Sequence, residues 1–87
     1  MRLLTTNRFE KDLKRAVKRR EDLDKLWKIV EQLLNNKPLE KLHRPHPLSA
    51  NYAIAWECHI EPDWLLIWNP EVDLLVLSMT GTHSDLF

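Results

Sequence analysis

Apolar residues recur at helical spacing in the first part of the chain and at strand spacing in the last. Residues 2–6 (RLLTT) read as a short strand. Asn7, followed three positions on by Glu10, has the form of a capping box and predicts a helix start. Phe9, Leu13, Ala16 and Val17 then share one helical face, with Lys and Arg between them. The charged run KRREDLD interrupts this pattern. A second helix carries Leu23, Leu26, Trp27, Val30, Leu33 and Leu34, a wide apolar stripe on one side. Asn35-Asn36 and Pro38 predict its end, because Asn tolerates the left-handed cap conformation and Pro cannot continue a helix.

Residues 37–51, with three prolines, read as a loop. Strand patterns follow at 52–60, 64–69 and 72–79. In the first, Tyr52, Ile54, Trp56, Cys58 and Ile60 alternate with Ala53, Ala55, Glu57 and His59. The middle segment is apolar on both faces, as a central strand would be. Connections at EPD and around Asn69-Pro70-Glu71 are short enough for hairpins, which predicts an antiparallel meander. The order β-α-α-β-β-β predicts an α+β fold, two N-terminal helices packed on a small antiparallel sheet, with the other face left for a site.

With 87 residues, the chain has room for one core, so residues 1–87 are expected to form a single domain. The composition is 44% hydrophobic and 30% charged, that of an ordinary soluble globular protein. No apolar run approaches the roughly 20 residues needed to cross a bilayer, and the start lacks the apolar core of an export signal. Cys58 is the only cysteine, which excludes an internal disulfide and fits a reducing cytoplasm. The net charge of zero conceals a partition. Residues 1–44 hold all 13 Lys and Arg with seven carboxylates, whereas residues 45–87 hold six carboxylates and no Lys or Arg. Phosphate-binding charge must therefore come from the first half or from protonated His, and an acidic partner would be drawn to the same half.

Candidate chemistry lies in the second half: His46 in HPL, His59 and Asp63 with Trp64 in ECHIEPDW, Trp68, and His83 with Phe87 in TGTHSDLF. Histidine is the side chain best suited to proton transfer near neutral pH. Each residue also has a plainer explanation. His46 sits between two prolines in a loop, Asp63 follows Pro62 in a good turn, and His83 is near the end of the chain, where order is often lost. Trp56, Trp64 and Trp68 fit core packing, and Cys58 a small buried hydrophobe. Three His and an Asp could hold zinc, although no HExxH or His-x-His spacing supports it. A metal site and an acid/base site both remain open at this level.

HPL, CHIEPDWLLIW and TGTHSDLF together resemble the bacterial toxins of the RelE superfamily, in particular the YafQ-like branch. The resemblance covers nearly the whole chain, helices, Pro-rich loop and meander in that order. It implies a small cytoplasmic endoribonuclease that cuts mRNA on the ribosome, needs no metal or other cofactor, and is held inactive by an acidic-tailed antitoxin. It further implies that His46, His59, Asp63 and His83 serve cleavage and that Trp64 and Phe87 edge the site. His83 and His46 are the expected acid/base pair, in either order, with His59 and Asp63 positioning and tuning them. RNA cleavage of this kind needs a base for the 2′-OH, an acid for the leaving 5′-oxygen and positive charge on the phosphorane. A carboxylate beside a His favours imidazolium.

One position departs from the family pattern. The residue directly before TGTH is usually an Arg that clamps the phosphate; here it is Met79, whose thioether neither donates a hydrogen bond nor carries charge. Loss of one such donor costs on the order of a hundredfold or more in rate. Ala53, Ile54 and Ala55 are also unusually apolar, and SAN stands where the family commonly has Ser-Gly-Asn. A weakened toxin is one reading. The alternative is an inactive or engineered binding module on the same scaffold, with an apolar cleft for a protein or small molecule. A metal-dependent hydrolase ranks last.

Overall fold

A computed structural model describes residues 1–48 and 55–87. The elements in chain order are β1 (Arg2–Thr5), α1 (Asn7–Lys18), α2 (Leu23–Leu34), a single 3-10 turn (Lys41–His43), β2 (His46–Pro47), β3 (Trp56–Glu61), β4 (Trp64–Glu71), β5 (Leu74–Gly81) and α3 (His83–Leu86). The expectations for Tyr52, Ala53 and Ile54 lie outside the described residues.

The fold is α+β, and β3, β4 and β5 form the expected antiparallel meander. The sheet as a whole is mixed, in the order β1-β5-β4-β3-β2, because β1 pairs parallel with β5 from Arg2–Leu74 to Thr5–Leu77. The chain leaves β1 at Thr6, whose hydroxyl donates to the Ser78 carbonyl (2.7 Å) and accepts from the Phe9 N–H (3.0 Å). Thr6 is therefore the cap of α1, one residue earlier than Asn7; Glu10 instead accepts from the Thr5 hydroxyl. Asp22 caps α2, and Asn36 closes it at φ 54°, the left-handed conformation expected there.

Both helices press on one face of the sheet. The core gathers Phe9, Ala16, Leu26, Ile29 and Val30 against Cys58, Ile60, Trp64, Leu66, Trp68, Leu75 and Leu77. Two expected core positions are corrected. Val17 is 56% exposed and Trp27 38% exposed. Each lies about 100° around its helix from a buried neighbour, Ala16 and Leu26 respectively, at the rim of the stripe. Asp12, about 40° from Ala16, occupies the buried face instead.

The β4–β5 turn is also corrected. It falls at Val72-Asp73, not at Asn69-Pro70-Glu71, and Asp73 takes the left-handed φ of 56°. Pro70 pairs within β4 opposite Leu75. A bulge puts Leu77 opposite Trp68 and Met79 opposite Ile67, leaving Ser78 as the extra residue. This shift turns Met79 away from the helices, although Leu75 and Leu77 point toward them. The tail is ordered as one helical turn closed by a capping box between Thr82 and Asp85.

Phe9→Ala is expected to lower unfolding free energy by about 3–5 kcal/mol, whereas Val17→Ala should stay within about 0.5 kcal/mol. Urea denaturation of the two variants checks the difference; comparable losses would contradict this placement of the α1 face.

Candidate active site

The face away from the helices is built in rows. His46, Glu57, Ile67 and Met79 are successive partners across β2, β3, β4 and β5. His59, Leu65 and Gly81 form the next row. Leu65 and Ile67 are buried and make an apolar floor. Met79 is half-buried beside it.

His59, Asp63 and His83 converge at the end of this face. The short turn after β3 carries Asp63, and α3 begins at His83 immediately beyond β5. One Asp63 oxygen accepts both the His83 backbone N–H (3.0 Å) and its ring Nδ1–H (2.8 Å). The backbone bond, followed by the ring bond, holds the Asp63 carboxyl below its ordinary pKa. The His59 and His83 rings lie 5.7 Å apart between centroids. His59 Nδ1 faces the Pro62 carbonyl at 3.2 Å. A carbonyl only accepts, so Nδ1 carries the proton and Nε2 of the neutral ring is left as an acceptor. His83, with its Nδ1–H on Asp63, likewise leaves Nε2 for other chemistry.

His46 shares the face but is differently held. Its Nδ1 is 2.7 Å from the Arg44 carbonyl and its Nε2 2.8 Å from Glu57 Oε2. Both partners are acceptors, and only a ring protonated at both nitrogens satisfies both. The ring facing His83 is His59, and His46 is bound to Glu57. Glu57 is 7% exposed and was not among the sequence candidates, although strand alternation puts it on the His59 face.

Trp64 is corrected outright. It is 2% exposed, on the helix side of the sheet, and its indole N–H donates to the Thr80 hydroxyl (3.0 Å). Strand parity accounts for this, since Trp64, Leu66 and Trp68 face the helices while Leu65 and Ile67 face away. Phe87 is 69% exposed, and its N–H donates to the His83 carbonyl, one helical turn from that residue. Trp56 stacks on Trp68 at 6.4 Å, and Trp68 belongs to the core. Cys58 is fully buried, and burial pushes its thiol up to about 12, which makes it a poor nucleophile.

Among the described residues no three His, Cys, Asp or Glu are grouped as a metal-ligand set. Beside His59 opens a hollow of about 400 Å³ lined by Lys25, Leu42, Arg44, Ile60, Glu61 and Pro62. Lys25 is paired with Glu61 (3.1 Å). No helix of the described residues is long and apolar enough to cross a membrane.

Comparison with known proteins follows the same outline. The family described as the bacterial toxin of type II toxin-antitoxin system, YafQ, matches residues 1–87. The mRNA interferase toxin YafQ of Escherichia coli strain B / BL21-DE3 is 40% identical over 83 residues, 94% of this chain and 90% of that protein. The crystal structure of the E. coli DinJ-YafQ complex superposes with a TM-score of 0.93 at 38% identity, covering 100% of this chain and 99% of the other. A copper-bound L66S mutant toxin from Helicobacter pylori gives 0.96 at 30% identity, with the same coverage.

Asp63 contributes stability above the unfolded carboxylate pKa of about 3.9, and that contribution disappears as pH falls through its lower native value. His83→Ala should raise the Asp63 pKa only part of the way to the ordinary value, because the backbone N–H at position 83 stays. A carboxyl ¹³C titration of both proteins measures this; an unchanged Asp63 would contradict the bond to the ring.

Proposed function

Since this chain belongs to the YafQ family of type II toxin–antitoxin toxins, we propose that it is an endoribonuclease toxin that cleaves mRNA on the ribosome by acid/base catalysis without a metal. The observation that carries this reading is the Asp63–His83 pair facing the His59 ring across 5.7 Å. His59 Nε2 takes the proton of a ribose 2′-OH, and the freed oxygen attacks the adjacent phosphorus. The bond to the 5′-oxygen breaks, and that oxygen receives a proton from His83 Nε2. The products are a 2′,3′-cyclic phosphate and a 5′-hydroxyl. Asp63 orients His83 and stabilises its protonated form. His46, held between the Arg44 carbonyl and Glu57, faces the substrate from the row that ends at Met79. Phe87 and Met79 border the substrate, and Lys25 and Arg44 in the neighbouring hollow meet flanking phosphates.

The DinJ-YafQ complex supports an antitoxin as the partner of this chain too. Its acidic segment would lie against the basic first half. The cytoplasm is where its ribosomes and antitoxin would meet it.

Met79 favours a second reading, a binding module that keeps the fold and has lost the reaction. Expression in bacteria separates the two. The toxin reading expects growth arrest with mRNA cleavage on ribosomes, both abolished by His83→Ala and both surviving chelator in the purified system. Met79→Arg puts a guanidinium in the His46–Glu57–Ile67 row and should raise the cleavage rate by about 10- to 100-fold. Harmless expression of both the parent and Met79→Arg would sink the nuclease reading.

A further inference from the structure

His83 stands on a helix of four residues, too short to hold its own shape. Its position must come from contacts, and those gather on Asp85. Asp85 completes the capping box: its Oδ2 accepts the Thr82 N–H (2.9 Å), and the Thr82 hydroxyl accepts the Asp85 N–H (3.1 Å). The same carboxylate takes two bonds from the Arg19 guanidinium, which follows α1 (2.5 and 3.1 Å). Arg15, whose Nη1 is buried without a hydrogen bond, lies 3.6 Å away. The Arg8 guanidinium donates to the Asp85 carbonyl at 3.2 Å. Residues 83 and 85 are separated by about 200° around the helix. One side of α3 is thus tied to α1 while the other presents His83 to Asp63.

Gly81 gives independent support. A Cβ there would lie 2.9 Å from the Asp85 Cβ, so a side chain at 81 and Asp85 in its present seat exclude each other. The strand end is shaped to receive this residue. Asp85 is also held strongly ionised, chiefly by Arg19 and next by the Thr82 N–H, so the tie persists wherever histidines titrate.

We propose that Asp85 is a positioning residue for His83, acting through its clamp with Arg19 and Arg15 to hold α3 so that the His83 ring meets Asp63 and His59. This rests on the reading of His83 as the acid, and the experiment has one arm that does not. Asp85→Ala and Arg19→Ala are made singly and together. Arg19 is exposed, so its removal leaves a folded protein even where loss of the cap does not. In the first arm, ¹⁵N and ¹H spectra of the imidazoles report the His83 Nδ1–H on Asp63 and the contact between the His59 and His83 rings. Each single variant should weaken both signals, and the double variant should do little more than the worse single one. In the second arm, single-codon cleavage on ribosomes should lose roughly 10- to 100-fold in kcat, with KM little changed and the folded fraction matched. Asp85→Glu, which keeps the charge, should recover part of both. Unchanged His83 signals in folded Arg19→Ala would overturn the clamp. Altered signals with no cleavage by any variant or by the parent would keep the clamp and discard the nuclease reading instead.

Discussion

A carboxylate buried in an amphipathic helix decides how this molecule is assembled. Asp12 accepts the Thr80 N–H of β5 (3.2 Å) and is gripped by Arg8 (3.0 Å to each oxygen) and Arg15 (3.4 Å). Strand β1 covers the edge of β5 only as far as Leu77. Beyond that point the backbone of β5 needs other partners, and Thr6 and Asp12 of the α1 segment supply them. An apolar residue at 12 would leave the buried Thr80 N–H unmet and remove the carboxylate that Arg8 and Arg15 share. The apolar face of α1 gives adhesion; Asp12 gives the register in which adhesion occurs.

Much of this was legible in the chain. Period-3.6 and period-2 patterns carry both main helices and the three meander strands, and Asn35-Asn36 mark the end of α2, where Asn36 takes the left-handed conformation. The departures share a cause. Asp12, Val17 and Trp27 depend on where the buried stripe is centred, which local spacing leaves free by about one residue. The parallel pairing of β1 is non-local, and the β4–β5 turn is set by the left-handed Asp73 rather than by the proline. The site was half legible. His59, Asp63 and His83 converge, whereas Glu57 reads in the sequence as one more alternating residue, and Trp64 belongs to the core by strand parity. Asp85 had a visible signal, since Thr82 and Asp85 have capping-box spacing and Arg15 and Arg19 lie one turn apart on a helix.

The electrostatic character of the open face follows from the charge partition. No Lys or Arg follows Arg44, so β3, β4, β5 and α3 bring only imidazoles and carboxylates to it. The bulge at Ser78 adds weight to this, because it turns position 79 onto the face where a cation would count. On the proposed reading, the groups beside the scissile phosphate are imidazoles, and the row from His46 to Met79 holds no guanidinium.

The parallel partnership of β1 with β5 bears on how the protein is born. Strand β1 has its neighbour in β5, and the amide that Asp12 fastens lies 68 residues further along the chain. Until β5 emerges from the exit tunnel the N-terminal helix has no sheet on which to settle, and α3 has no anchor. The cluster of His59, Asp63 and His83 therefore takes shape only once these distant segments have joined.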